Sequence, residues 1–182
     1  MFYIIMGVAG SGKSTVGRLL SDRTDIPFYD ADDFHPQANI DKMSQGIPLN
    51  DKDRRAWLLK LRDFIAETLA AEQQGILACS ALKSDYRQLL ESDRGCVSKS
   101  LDSAYPSGNR ANKITWIYLR GDYERIKQRI RQRHDHFMKE DMLRSQFEAL
   151  EEPEAAITID ISYSPEVIVE QIIARSDRQQ KK

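Results

Sequence analysis

The sequence is poor in cysteine, has almost no charge imbalance and contains no long apolar run, and each of these features excludes a class of protein. Its two cysteines, Cys79 in an apolar run and Cys96 in a polar stretch, form neither a metal-binding spacing nor a disulfide framework. The 27 basic and 28 acidic side chains leave a formal net charge of -1 and are spread along the chain, which argues against nucleic-acid and membrane-surface binding. The first apolar run, Phe2–Met6, has no basic leader and is followed by Gly7, so it predicts a strand rather than a signal peptide or membrane span. We expect a soluble, cytoplasmic protein with no nucleic-acid or membrane partner.

Five short apolar runs alternate with helical patterns, and this alternation predicts an α/β fold. The runs are Phe2–Met6, Ile26–Tyr29, Ile76–Cys79, Ile114–Leu119 and Ile157–Ile161. They predict a central five-stranded parallel sheet with helices on both faces, a three-layer α/β/α arrangement. The length of 182 residues fits a single domain. A polar segment at 92–113 interrupts the pattern and is interpreted as an insertion, either a loop or a short hairpin.

The segment Gly7–Ser14, GVAGSGKS, matches the Walker A pattern at every fixed position and lies between a predicted strand and a predicted helix. Its glycines allow backbone N–H groups to turn toward phosphate oxygens, Lys13 brings a positive charge to the β and γ phosphates, and Ser14 offers a hydroxyl to Mg²⁺. The alternative, a glycine-rich turn that carries Lys-Ser by chance, is disfavoured by the position after a strand. We predict ATP and Mg²⁺ as cofactors and Lys13 as a catalytic residue. The predicted nucleotide-binding residues are Gly7, Val8, Ala9, Gly10, Ser11, Gly12, Lys13, Ser14 and Thr15.

A phosphate loop identifies the phosphoryl donor and leaves the acceptor open, because GTPases, motor ATPases and small-molecule kinases share it. The Asn-Lys-x-Asp segment by which a GTPase reads its base is absent from the sequence. A small chain with polar residues after the second strand fits a small-molecule kinase better. A nucleotide-binding regulatory module without catalytic activity is the alternative from another class.

Carboxylates follow the second predicted strand, where the edge of a parallel sheet meets the phosphate loop. Strand alternation predicts that Asp30 and Asp32 face the cleft and that Asp33 points away. One carboxylate can orient a water on Mg²⁺ and the other can accept a hydrogen bond from the attacking hydroxyl, so Asp32 is a catalytic candidate. The alternative is a solvated acidic turn that caps the helix beginning near Pro36. His35 is predicted to contact acceptor hydroxyls, with a helix-capping role as the alternative.

Basic side chains near the same edge predict an acidic acceptor. Arg54 lies in the first turn of a long helix, where the helix dipole disfavours a cation, and arginine binds carboxylates bidentately. Pairing with Asp51 and Asp53 explains Arg54 equally well. Lys83 follows the third strand and Arg87 lies one helical turn further on, so both are predicted to contact the acceptor.

Arg125, Arg129 and Arg133 recur at four-residue spacing before a break in the helical pattern. Such a stripe is usually a solvated helix face. If the segment 133–141 closes as a lid, Arg133 can stabilise charge on the transferred phosphoryl group, and we predict a catalytic role for it. Arg129 is predicted to bind the nucleotide by stacking on the adenine ring.

Together these segments resemble the gluconokinase family of P-loop kinases. The matching segments are Met6–Ser14, Asp30–Pro36, Asn39–Trp57, Cys79–Arg87 and His136–Pro153. The resemblance implies ATP- and Mg²⁺-dependent phosphorylation of D-gluconate on its terminal hydroxyl, giving 6-phospho-D-gluconate. It also implies a fold like those of shikimate and nucleoside monophosphate kinases, and it suggests a homodimer.

The resemblance further implies that Asp30 holds Mg²⁺ through water, that Asp32 lies near the acceptor hydroxyl and that residues 32–57 bind the acceptor. The sequence departs from the family pattern at Ala56, where proline is frequent, and at Ser84, where a second lysine is common. A shikimate-type or nucleoside monophosphate kinase, with the same donor site and another acceptor, is the main alternative.

Overall fold

The computed structural model describes residues 1–92, 113–132 and 140–180, and it is organised around one parallel sheet. The strands are β1 (Phe2–Met6), β2 (Phe28–Asp30), β3 (Gly75–Ala78), β4 (Ile114–Arg120) and β5 (Ile157–Asp160). They lie in the order β2-β3-β1-β4-β5, with every pairing parallel. The predicted five-stranded parallel sheet is confirmed.

Seven α-helices and one short 3₁₀ helix connect the strands in the described ranges. They are α1 (Lys13–Thr24), the 3₁₀ helix (Ala31–Phe34), α2 (Gln37–Ser44), α3 (Asp51–Ala70), α4 (Ser84–Glu91), α5 (Tyr123–Gln132), α6 (Glu140–Glu148) and α7 (Pro165–Gln180). No helix within these ranges is both long and apolar enough to cross a membrane.

The two faces of the sheet carry separate hydrophobic cores, as the alternation of side chains along β1 requires. Phe2, Ile4 and Met6 pack on one face against α3 and α4, whereas Ile5 packs on the other against α1 and α7. At about 25 cal/mol per Å² of apolar surface, burial of such side chains is the main contribution that holds the layers together. The three-layer α/β/α arrangement is therefore confirmed.

The second strand begins later than its apolar run. The run was expected to form a strand from Ile26 to Tyr29, but β2 starts at Phe28 because Pro27 has no N–H to donate to a neighbouring strand. The Pro27 carbonyl still accepts a hydrogen bond from Ile76 N at 2.9 Å.

The long helix α3 begins after a capping residue, Asn50. The Asn50 side chain accepts a hydrogen bond from Asp53 N at 2.9 Å, and the Asp53 carboxylate accepts one from Asn50 N at 3.1 Å. This reciprocal capping box fixes where α3 begins, beside the carboxyl edge of the sheet.

Candidate active site

The phosphate loop joins the carboxyl end of β1 to the first turn of α1. Gly12 has a φ of 98°, and Gly7 has a φ of 144° with its Cα so close to Leu119 that a Cβ would lie 2.9 Å from the Leu119 carbonyl oxygen. Lys13 Nζ donates to the carbonyl oxygens of Gly7 at 3.0 Å and Val8 at 3.1 Å. The lysine is thus held over the loop, at the positive end of α1, where an anion is favoured.

A hydroxyl and a carboxylate lie together at the start of α1. Ser14 Oγ donates to Asp30 Oδ2 at 2.8 Å, which connects the phosphate loop to the end of β2. Mg²⁺ in kinases takes oxygen ligands from one or two protein groups, from waters and from substrate phosphates. The Ser14–Asp30 pair has the chemistry that such an ion requires.

The acidic turn after β2 differs from its predicted geometry. Strand alternation was expected to place Asp30 and Asp32 on one side, but the 3₁₀ helix begins at Ala31 and ends the alternation. Asp32 N instead donates to Asp30 Oδ1 at 3.2 Å, so the carboxylate of Asp30 caps the turn. Asp32 still lies beside the phosphate loop, close enough for the Lys13 charge to act on it.

The Asp32 carboxyl binds protons more readily than an ordinary aspartate. Its pKa is raised because surrounding protein atoms reduce its solvation and because the Asp30 charge opposes a second negative charge nearby. Its side chain is nevertheless 86% exposed, so an incoming hydroxyl can reach it. A reachable carboxylate of raised basicity is suited to accept a proton.

His35 is held beside this carboxylate by the ring of Trp57. The two rings stack with centroids 4.5 Å apart and an interplanar angle of 13°. Burial lowers the pKa of His35, which favours the neutral imidazole. Because Asn39 Nδ2 lies 3.3 Å from His35 Nδ1 and donates there, the imidazole proton resides on Nε2, 3.9 Å from Asp32 Oδ1.

Trp57 also fixes the acidic turn directly, a role that its sequence position did not reveal. Its indole N–H donates to the Ala31 carbonyl at 2.7 Å, and both groups are buried. The helical spacing of apolar residues along α3 indicates by itself only that Trp57 belongs to the core.

A second polar cluster forms where the start of α3 meets the loop after β3. Asp51 accepts hydrogen bonds from Lys83 Nζ at 2.9 and 3.1 Å and from the Tyr86 hydroxyl, and Arg54 Nη1 lies 3.9 Å from Asp51 Oδ1. The Tyr86 and Lys83 hydrogen bonds lower the pKa of Asp51. Asp53, the other predicted partner of Arg54, pairs with Lys42 at 2.6 Å.

This cluster unites Arg54 and Lys83, which the sequence placed at the acceptor site. Both side chains are about one-third exposed, so a ligand can reach them. Their contact with an acceptor stays a prediction.

Arg87, which was expected to face the same way as Lys83, binds the loop backbone just before it. It is buried, and its Nη1 donates to the carbonyl oxygens of Ala81 at 3.1 Å and Leu82 at 3.0 Å. Burial lowers the pKa of its guanidinium. In this structure Arg87 holds the loop that carries Lys83, and its contact with an acceptor stays a prediction.

A cavity of about 310 Å³ opens beside the phosphate loop. Its walls are Ser11, Gly12, Thr15, Val16, Arg129, Gln132, Tyr163, Pro165 and Ile168. Arg129 is fixed there by a hydrogen bond of 2.6 Å from Nη2 to the Ile161 carbonyl. A guanidinium plane next to an apolar wall is suited to an aromatic ring, so the position of Arg129 is compatible with the predicted adenine contact.

Two predicted features lie outside the described residues. Arg133 and residues 133–139 of the predicted lid belong to them, and α6 begins at Glu140. Residues 93–112 of the predicted insertion belong to them as well.

The fold and the site define a small-molecule kinase of the P-loop class, since a phosphate loop, a hydroxyl–carboxylate pair and a reachable basic carboxylate meet at one sheet edge. A family model described as shikimate kinase matches residues 9–177. A "Probable gluconokinase" of Rattus norvegicus is 45% identical over 153 residues, with 84% of this chain and 83% of the relative covered. The "Thermoresistant gluconokinase" of Escherichia coli (strain K12) is 38% identical over 171 residues, with 92% and 88% covered.

Solved structures agree with these sequence relatives. A gluconokinase from Sinorhizobium meliloti 1021 superposes with a TM-score of 0.75 at 34% identity, over 97% of this chain and 91% of the other. The chain belongs to the gluconokinase family of P-loop kinases.

Proposed function

We propose that this protein transfers the γ-phosphoryl group of ATP to D-gluconate and releases ADP and 6-phospho-D-gluconate. The observation that carries the proposal is the hydrogen bond of 2.8 Å between Ser14 Oγ and Asp30 Oδ2. It brings the donor loop and the acceptor turn into contact, and it does so in a chain whose curated relatives are gluconokinases at 36–45% identity.

The donor half of the site consists of the phosphate loop and the neighbouring cavity. The cavity beside Arg129 takes the adenine ring, and Lys13 neutralises charge on the β and γ phosphates. Ser14 and Asp30 would hold Mg²⁺ here, Asp30 through water as the family resemblance implies, and the ion would offset charge on the phosphates.

The acceptor half supplies the proton acceptor. The terminal hydroxyl of the acid loses its proton to Asp32 as its oxygen bonds to the γ phosphorus, and the bond from that phosphorus to the bridging oxygen of ADP breaks. The Nε2–H of His35 faces the Asp32 carboxylate, with Nε2 3.9 Å from Oδ1. Because Asp32 carries a raised pKa, it accepts this proton more readily than an ordinary aspartate.

Arg54 and Lys83 recognise the other end of the acceptor. Both are cations at the carboxyl edge of the sheet, and a carboxylate-bearing polyol matches a site that pairs cations with Asp32 and His35. Arg133 acts from the lid on the transferred group, and the enzyme is a cytoplasmic homodimer. These last assignments are predictions from the sequence.

A nucleoside monophosphate kinase is the main rival, and it needs an apolar slot for a second base. The described acceptor side offers instead the polar groups of Asp32, His35, Arg54 and Lys83. A shikimate-type acceptor shares the need for cations, so the experiment must identify the product.

Phosphorus NMR of the reaction product tests the proposal. A phosphate on the terminal CH₂OH couples to two protons and gives a triplet, whereas a phosphate on a secondary hydroxyl gives a doublet. We expect a triplet with gluconate. A doublet, or no phosphate ester at all, would show that the assignment is wrong.

A further inference from the structure

Helix α6 contacts the phosphate loop through one side chain that none of the roles described so far includes. Gln146 Oε1 accepts a hydrogen bond of 2.7 Å from the backbone N–H of Ala9, the third residue of the loop. The two residues are 137 positions apart in the chain, and the contact is partly buried. The loop is therefore held by α6 as well as by its own backbone.

The contact bears directly on the catalytic lysine. The Ala9 N–H belongs to the same peptide group as the Val8 carbonyl, and that carbonyl accepts a hydrogen bond of 3.1 Å from Lys13 Nζ. In a trans peptide the N–H and the C=O point in opposite directions. Gln146 and Lys13 thus hold the two ends of one peptide plane.

The peptide plane links these two side chains in orientation and in polarity. While Gln146 accepts the Ala9 N–H, the plane cannot rotate without breaking that bond, so the Val8 carbonyl keeps facing Lys13. Donation from the N–H also polarises the carbonyl, which strengthens the bond that this carbonyl accepts. Ser11 N also donates to the Val8 carbonyl at 3.2 Å, so the Gln146 oxygen reinforces a plane that is already restrained at its carbonyl end.

The end of α6 is itself bound to the loop on the acceptor side, which fixes the position of the helix that carries Gln146. Glu151 N donates to the Leu82 carbonyl at 3.0 Å, and Glu151 Oε2 accepts from Ser84 N at 2.7 Å. Leu150, which lies between the end of α6 and Glu151, packs against both hydrophobic cores. One short segment of chain therefore contacts the donor loop and the loop that carries Lys83.

We propose that Gln146 is a positioning residue for phosphoryl transfer, which orients Lys13 through the Val8–Ala9 peptide group. Its side-chain oxygen binds the backbone of the phosphate loop. The inference rests on ATP as the phosphoryl donor. Loss of the Gln146 oxygen leaves the peptide plane held by Ser11 N, which donates to the Val8 carbonyl at 3.2 Å, and weakens a preformed support for the lysine that meets the β and γ phosphates.

The test compares ATP with AMP, because the single phosphate of AMP does not reach the part of the site that Lys13 serves. Binding of each nucleotide is measured by calorimetric titration or competition in Gln146→Met, which keeps the length of the side chain and removes its oxygen. We expect ATP affinity to fall about 3- to 10-fold, the size of one lost hydrogen bond, with AMP affinity and the KM for gluconate unchanged. Gln171→Met is the matched control, because it removes a hydrogen bond that Arg175 donates on the exposed face of α7.

Gln146→Ala removes the same oxygen without adding an apolar tip, and it must show the same selective loss with a thermal midpoint near that of the wild type. Equal losses for ATP and AMP, or no loss in either variant, would overturn the proposal. Failure of the wild-type protein to bind ATP would count against the proposed function itself, so the two ideas fail in different ways.

Discussion

The indole N–H of Trp57 supports the acidic turn from within the core, and Trp57→Phe removes that support together with part of the buried ring volume. The substitution keeps an aromatic ring to stack on His35 but leaves the buried Ala31 carbonyl without the donor that lies 2.7 Å away. An unsatisfied buried polar group costs about 1–3 kcal/mol. For a chain of this length, that corresponds to a fall in Tm of roughly 3–10 °C.

The substitution should lower the rate of phosphoryl transfer more than it weakens ATP binding. Ala31 lies between Asp30 and Asp32, so loosening its carbonyl displaces both carboxylates. Misplacement on the order of 1 Å costs up to about 100-fold in rate, and we expect kcat to fall about 10- to 100-fold with little change in the KM for ATP.

Trp116→Phe is the matched control for this substitution. Trp116 is also buried and its indole donates to Glu91, but it lies on β4 and away from the acidic turn. Steady-state kinetics gives kcat for both variants, and denaturant unfolding gives their loss of stability. The reasoning is refuted if Trp57→Phe keeps wild-type kcat, or if both variants lose activity equally.

Four further outcomes follow from the same geometry. Lys13→Ala should abolish turnover in an ADP-release assay, because the phosphate charge loses its compensation; ordinary activity would exclude the mechanism. Asp32→Asn should lower kcat by at least about 100-fold while ATP affinity stays near wild type, which titration checks. Because reduced solvation and the Asp30 charge raise the pKa of Asp32, kcat/KM should fall as the pH drops through a value above the ordinary aspartate range, and a limb at or below that range would contradict this. Because the pKa of Asp51 is lower in the folded than in the unfolded chain, ionised Asp51 stabilises the fold at pH values above its unfolded pKa of about 3.9. This contribution is lost as the pH falls through the folded pKa. Asp51→Asn should therefore cost about 0.5–1 kcal/mol at neutral pH, since the pair with Lys83 is partly exposed, and the cost measured by unfolding should shrink in acid.

The sheet and the donor loop were predictable because local patterns encode them. Each apolar run marks a strand to within two residues, and Asn50 marks the start of α3. The glycine pattern of Gly7–Ser14 is specific for phosphate binding. The acceptor side depends on contacts between distant residues. Periodicity places Trp57 in the core but cannot show that its indole reaches Ala31.

Contacts that local patterns do not encode also explain the other differences between the predicted and the observed site. Alternation along β2 was extended into the acidic turn, where the side chain of Asp30 ends the strand by accepting a hydrogen bond from Asp32 N. Arg87 was placed by helical spacing, which gives its face but not the carbonyl groups that it meets. Gln146 carries no signal beyond its place in a family-like segment, because its partner lies 137 residues away.

Acceptor-dependent ADP release is the measurement that tests the central claim most directly. The protein is supplied with ATP and Mg²⁺ and offered gluconate, shikimate, AMP, glycerate or water alone, with Lys13→Ala beside it as the inactive control. We predict release above the water rate with gluconate only, and none from the variant. Faster release with shikimate or AMP than with gluconate, or no dependence on any acceptor, would contradict the account.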